Sequence, residues 1–379
     1  LTFSIDVGGN PIILGAPSNG LNVNFTDNDW TFTGGANARL DTEGTGTIDD
    51  VLATALANGA QVTFTGGAYW DNHESLIVGD LGYGTLNLEL GNASSSTVAR
   101  DIIIGNQAGS VGEINVDGAG TILDTDGDFL GYYIGQAGTG TLNVINGGQA
   151  RITNDTTGAI SDLRMGVEAG GHGTLNISGG GSEVIAEDSF VGAAGDGVLN
   201  ITDGGALRQN IATTPDAFMG LQAGASGTAV VNGTDSLWQM RRLEVGRFGV
   251  ATLSVEAGGR VQSTGDNVVL GDDSTGSGRV AVFGNGASAS RMEVTSDLIV
   301  GQLGLGQLTV GQDLNGTFDG HGHLEVGNAL RIGTDASNTA DNRLIVDGPN
   351  ATVNVGGTFD VGLNGNGSFS AMNLSLIHI

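Results

Sequence analysis

The stretch Gly138-Thr-Gly-Thr-Leu-Asn-Val-Ile-Asn-Gly-Gly148 decides the fold, because the chain writes it again and again. Variants stand at Gly84-Thr-Leu-Asn-Leu88, Gly112-Glu-Ile-Asn-Val116, Gly173-Thr-Leu-Asn-Ile177 and Gly197-Val-Leu-Asn-Ile201. Strict alternation puts Leu142 and Val144 on one face and Thr141 and Asn143 on the other, the period-two signature of a half-buried strand. A second phrase, apolar-x-apolar-Gly, precedes each copy, as in Leu76-Ile-Val-Gly79, Phe190-Val-Gly192 and Leu298-Ile-Val-Gly301. Its glycines, Gly79, Gly105, Gly135, Gly166, Gly192, Gly220, Gly246, Gly271, Gly301, Gly333 and Gly362, recur at a mean spacing of about 28 residues. A third, looser phrase follows a Gly-Gly or Gly-x-Gly turn: Ala150-Arg-Ile152, Glu183-Val-Ile185, Arg260-Val261 and Ala351-Thr-Val353.

A unit of this length with three short strands cannot close a hydrophobic core alone, and a propeller blade needs four strands and about 40–50 residues. The frame of a leucine-rich repeat is absent. Stacking like units is what remains. In a parallel β-solenoid each strand pairs with its counterpart one coil away, about 4.8 Å along the axis, and every inward Leu or Val sits on another. The phrase recurs because it lies against itself. We therefore expect an all-β chain forming a right-handed parallel β-helix, since parallel crossovers take that hand in nearly all cases. Eleven anchored coils would make a rod of roughly 50 Å. The corner glycines are expected at positive φ, which glycine adopts without steric penalty. The column Asn87, Asn115, Asn143, Asn176 and Asn200 is expected to form an outward ladder of stacked amides, with Ser254 and Thr309 showing that the position is replaceable.

The chain divides in this reading into a less regular portion over residues 1–75, regular repeats over 76–373, and a tail over 374–379. In the first portion, Asn22-Val-Asn-Phe25, Trp30-Thr-Phe32 and Gln61-Val-Thr-Phe-Thr65 look like strands. The segment 48–59 looks like a short covering helix, with Asp49 and Asp50 in its first turn and Asn58-Gly59 as its stop. The tail, Leu374-Ser-Leu-Ile-His-Ile379, matches the translation of a common sequencing adaptor, against the reading of a last strand. The chain starts at Leu1 with no signal-peptide pattern, which suggests an internal piece of a longer protein.

Composition limits the partners. There are 41 acidic and 13 basic residues, for a formal charge of −28, and all the basic ones are arginine. Without basic clusters such a surface repels nucleic acid and anionic membranes. The chain has no cysteine, which excludes disulfides and thiolate metal sites. No apolar run is long enough for a membrane-spanning helix. Aromatics are only 5% of residues, so Val, Ile, Leu and Ala must build the core.

The succession apolar-x-Val-Gly, Gly-x-Gly-Thr-Leu-Asn-Val, Gly-Gly, as in Tyr133 to Gly148 and Met165 to Gly180, resembles the repeats of bacterial autotransporter passenger domains. The segment Ile48 to Phe64 is similar to one found in large secreted adhesin-type β-helix proteins. The likeness covers about residues 48–373, through short glycine-rich motifs that specify architecture better than activity. It implies export by a Gram-negative cell, display at the surface or release, and anchoring through a C-terminal outer-membrane barrel that lies outside this sequence. The partners it implies are a host or neighbouring-cell surface receptor or glycan, or further copies of the chain, with no direct insertion of this segment into the membrane.

A polysaccharide lyase or hydrolase needs clustered carboxylates, and for a lyase a calcium ion with a basic residue. The acids here fall mostly in turns, such as Asp272-Asp273, and the pairs Asp313 with Asp319 and Glu113 with Asp117 are the kind that arise by chance among so many. Asp124, Asp126 and Asp128 alternate as in hard-cation loops but lack the later bidentate glutamate, so they are weak metal candidates beside the reading of an ordinary turn. His321-Gly-His323 is a candidate transition-metal pair without an adjacent third ligand. Trp30, Tyr69-Trp70 and Trp238 are candidates for sugar stacking, with core filling preferred for Trp238. No catalytic residue and no cofactor is assigned. The function expected is an extracellular or cell-surface adhesive rod without catalysis, and the second reading is a carbohydrate-active β-helix enzyme.

Overall fold

A computed structural model describes residues 2–6, 12–14, 23–25, 29–33, 39–42, 45–48, 59–72, 74–89, 95–98, 100–126, 131–153, 162–209, 216–284, 288–317, 320–373 and 376–379. Every element among them is a strand. The strands fall into two compact units, Leu1–Asp188 and Ser189–Ile379. Each unit repeats the same three-strand coil and builds three parallel sheets.

In the N-terminal unit the first sheet carries the opening phrase: Thr2–Asp6, Asp29–Thr33, Ala60–Thr65, Tyr83–Leu88, Val111–Asp117, Thr139–Ile145 and His172–Ser178, in that order. The third phrase makes the second sheet, ending in Ile122–Asp126, Gln149–Thr153 and Glu183–Ala186. The apolar-x-apolar-Gly phrase makes the third, ending in Ile102–Ile104, Gly131–Ile134 and Asp162–Met165. Pairing is in register: Leu86 lies opposite Ile114, Ile114 opposite Leu142, and Leu142 opposite Leu175. All four are completely buried. The expected interior column exists, and the parallel solenoid with its repeat of about 28 residues follows from it.

The N-terminal strands join the same ladders, with Trp30 opposite Val62 and Phe32 opposite Phe64. Here the core is aromatic: Phe32 stacks on Phe64 at 4.7 Å, and Trp70 packs against both Phe64 and Phe25. Larger side chains fill these coils where the repeat is least regular. The helix expected over 48–59 falls on residues outside the described set, apart from Ile48, which ends the strand Gly46–Ile48, and Gly59, a bend.

In the C-terminal unit the corresponding column runs Leu199, Ala229, Leu253, Val280, Leu308, Leu344. These residues too are buried. The second sheet of this unit comprises Ala206–Gln209, Leu237–Met240, Arg260–Ser263, Ser290–Val294, Gly322–Val326, Thr352–Val355 and Leu376–His378. The last of these lies in the tail and pairs with Thr352–Asn354 through main-chain bonds, which carry no mark of the tail's origin.

All eleven anchor glycines adopt positive φ, between 60° and 77°. At Gly135 (φ +67°) an added Cβ would lie 2.1 Å from the carbonyl oxygen of His172, so the corner is closed by backbone from the next coil. Both conditions exclude a side chain there, one through torsion and one through space.

Candidate binding surface

The outward faces hold the polar residues, and the asparagine column behaves as the sequence indicates. Asn115 Nδ2 donates to Asn87 Oδ1 at 2.9 Å, Asn143 Nδ2 to Asn115 Oδ1 at 2.7 Å, and Asn176 Nδ2 to Asn143 Oδ1 at 2.7 Å. Asn87 closes the row by donating to Thr63 Oγ1. An amide carries donor and acceptor at once, so identical residues in register satisfy one another without an end partner at each rung. In the C-terminal unit the register runs Asn200, Val230, Ser254, Ala281, Thr309, Ile345, and the column ceases to be amide.

The acidic candidates are spent on structure. Glu113 accepts from Asn143 Nδ2 and Asp117 from Asn146 Nδ2. Asp313 caps its own turn through the N–H groups of Asn315 and Thr317, while Asp319 lies outside the described residues. Asp273 accepts from Ser274 and Thr275 in the same manner. Asp124 is half-buried on the strand Ile122–Asp126, and neither the side chain of Asp126 nor Asp128 belongs to the described set. Among the described residues no three His, Asp or Glu side chains gather as a metal would require. His321 faces Asn350 and His323 faces Thr352, so each imidazole has its own neighbour on the next coil.

The tryptophans are interior or nearly so. Trp70 and Trp238 are fully buried and Trp30 is half-buried, which corrects the notion that they offer exposed platforms for sugar; the side chain of Tyr69 is not described. Their size suits the inside of the coil, and burying such rings contributes more than leaving them in water.

Two charged constellations on the C-terminal unit were not anticipated. On its third sheet, Glu244 is fully buried and ion-paired with Arg242, while Arg247 Nε lies 3.3 Å from its other oxygen. Burial pushes the Glu244 carboxyl above its ordinary range in spite of the two guanidiniums. Arg241 bridges Asp216 at 2.7 Å and Asp266 at 2.9 Å, and Arg247 covers the ring of Phe218 at 5.0 Å. This group stitches three successive coils together.

The second constellation lies on the outer face of the second sheet, which carries shallow hollows. One outward column reads Leu237, Arg260, Arg291, His323, Thr352, and its neighbour reads Arg208, Gln239, Gln262, Glu293, Glu325, Asn354. Gln239 Nε2 donates to Gln262 Oε1 at 3.0 Å, and Arg260 pairs with Glu293 at 2.5 Å. Burial, and then the nearby Arg291 and His321, push the His323 imidazole below its ordinary value. Sequence reading missed this face because the third phrase is too irregular to align by eye. Only the register shows that Arg260, Arg291 and His323 hold the same place in three successive coils.

The fold and this face together define a parallel β-solenoid with a polar, arginine-bearing outer sheet. The chain is 32% identical over 291 residues to the uncharacterized lipoprotein YdeK of Escherichia coli (strain K12), a match that takes in 64% of this chain and 22% of that protein. The chain thus spans about a fifth of the length of the curated relative it matches. A solved structure, the TibC-catalyzed hyper-glycosylated TibA55-350 fragment, aligns over 99% of both chains at 12% identity with a TM-score of 0.31, a likeness too distant to bear on the role of this chain. No protein-family model matches the sequence.

Proposed function

We propose that this chain is a surface-displayed or released β-solenoid of the adhesin passenger type, whose outward sheet faces serve adhesion or self-association and perform no catalysis. The observation that carries the reading is the unbroken register within each unit, in which acids are used to cap turns and to bond amides instead of converging on a reacting centre. A scaffold of this kind multiplies one outward face along its length, which suits multivalent attachment. Autotransporter-like repeats in the sequence support export by a Gram-negative cell and anchoring through a barrel outside this sequence. The lipoprotein name of the relative supports an envelope location.

Beads coated with the purified chain test this reading. They are expected to aggregate or to bind bacterial or epithelial cells more than beads coated with an unrelated protein of equal charge, and equal binding would refute it. A second reading, a carbohydrate-active enzyme, draws on Arg291, His323, Glu293 and Glu325 sharing one face. Release of reducing ends or unsaturated products from polygalacturonate by the isolated chain would establish that reading instead.

A further inference from the structure

The 13 arginines are the fixed cations of a chain with 41 acids, and three of them line one hollow. Arg208, Arg260 and Arg291 surround a depression of about 380 Å³ on the second sheet of the C-terminal unit, with Thr234, Asp235 and Ser236 at its rim. Register puts Arg260 directly opposite Arg291, and Arg291 directly opposite His323. The column continues to Leu237 on one side and Thr352 on the other, so it contains no carboxylate. Like charges on facing positions of neighbouring strands repel, which makes this an unfavourable arrangement for the free protein. Glu293 neutralises Arg260 from the adjoining column. Arg291 is exposed and forms no ion pair among the described residues.

We propose that this hollow binds an acidic polysaccharide, its carboxylates held by Arg208, Arg260 and Arg291. A guanidinium presents a planar fork that matches a carboxylate in two bonds, and it stays charged at any physiological pH. Exposed Thr234 at the rim and Gln239 beside Arg208 add a hydroxyl and an amide of the kind a sugar ring engages, while Ser236 is buried and bonded to Asn232 within its own turn. Arg260 and Arg291 lie on successive rungs about 4.8 Å apart, with Arg208 one column over and two rungs before Arg260, so the three charges are spread along the sheet as a linear polymer with one acid per sugar would meet them. A nucleic acid is denser in charge, and the −28 background repels it more strongly. The inference rests on the adhesive reading above and gives it a ligand class.

Equilibrium binding of the full chain to polygalacturonate, with dextran as the neutral comparison, tests the proposal. Affinity for polygalacturonate is expected to fall about tenfold in Arg291→Gln, further in the double variant Arg260→Gln/Arg291→Gln, and steeply with added salt in the parent chain. Arg291→Lys, which keeps the charge and loses the fork, should recover only part of the loss. Arg100→Gln, in the other unit, should bind as the parent does. Circular dichroism and the urea midpoint of each variant establish that it is folded. Unchanged affinity in the folded double variant, or equal retention on dextran, would overturn the proposal. Cell binding or bead aggregation that persists when polygalacturonate is not bound overturns the hollow and leaves the adhesive reading standing. Arginine-dependent polygalacturonate binding by a chain that neither aggregates beads nor binds cells upholds the hollow and refutes that reading.

Discussion

Replacing Asn143 by alanine isolates the contribution of the amide ladder. Asn143 Nδ2 donates to Asn115 Oδ1 at 2.7 Å and to Glu113 Oε1 at 3.1 Å, and its Oδ1 accepts from Asn176 at 2.7 Å. Three hydrogen bonds are lost, and Asn115, Glu113 and Asn176 are left to water. A net hydrogen bond contributes about 0.5–1.5 kcal/mol, and on this half-buried face the lower part of that range applies, so the cost is about 2 kcal/mol. Asn87→Ala, at the end of the row, removes only the bonds to Thr63 and Asn115 and should cost about 1 kcal/mol. The assay is equilibrium urea unfolding followed by tryptophan fluorescence, since the buried Trp70 lies in the same unit. A double variant with Asn115→Ala should show coupling of at least about 0.5 kcal/mol, because the two side chains share a bond. A cost below about 0.5 kcal/mol for Asn143→Ala, the level of an ordinary surface change, or a cost no greater than that of Asn87→Ala, would refute the ladder as a source of stability.

Other perturbations probe the corners, the core and the buried charge. Gly135→Ala should prevent stable folding, since its Cβ would meet the His172 carbonyl at 2.1 Å. Gly170→Ala, with φ +88° and open space around it, should cost only about 1 kcal/mol of torsional strain; similar urea midpoints for the two would contradict the close approach at Gly135. Leu142→Ala should lower stability by about 2–5 kcal/mol through lost transfer energy and a cavity between Ile114 and Leu175, and a loss under about 1 kcal/mol would argue against a packed column. Glu244 carries a carboxyl raised by burial, so the native state holds its proton more tightly than the unfolded chain does. Its contribution is fully present below the ordinary glutamate range and is lost as pH climbs through the raised value. Glu244→Gln should therefore gain stability relative to the parent as pH moves from acid to neutral. The opposite trend would mean that Arg242 and Arg247 outweigh desolvation.

The solenoid could be read from the sequence because its determinant is local and repeated. Alternation in Thr141-Leu-Asn-Val144 sets which side chains face inward, and a glycine such as Gly135 marks each corner, so stacking like on like is the arrangement that buries the inward Leu and Val of each phrase. The same logic anticipated the amide row at Asn87, Asn115, Asn143 and Asn176. The candidate surface was not legible in this way. Arg260, Arg291 and His323 sit in the least regular phrase, at unequal separations along the chain, and nothing in their local sequence marks them as neighbours. The burial of Trp70 and the bridging of Asp216 and Asp266 by Arg241 likewise depend on what adjoining coils bring against them. Sequence by itself determined the coil and its interior, because period and torsion act within a few residues. Only the tertiary structure decided which charges meet on the outside, because coil-to-coil register places residues about thirty positions apart a single strand spacing from one another.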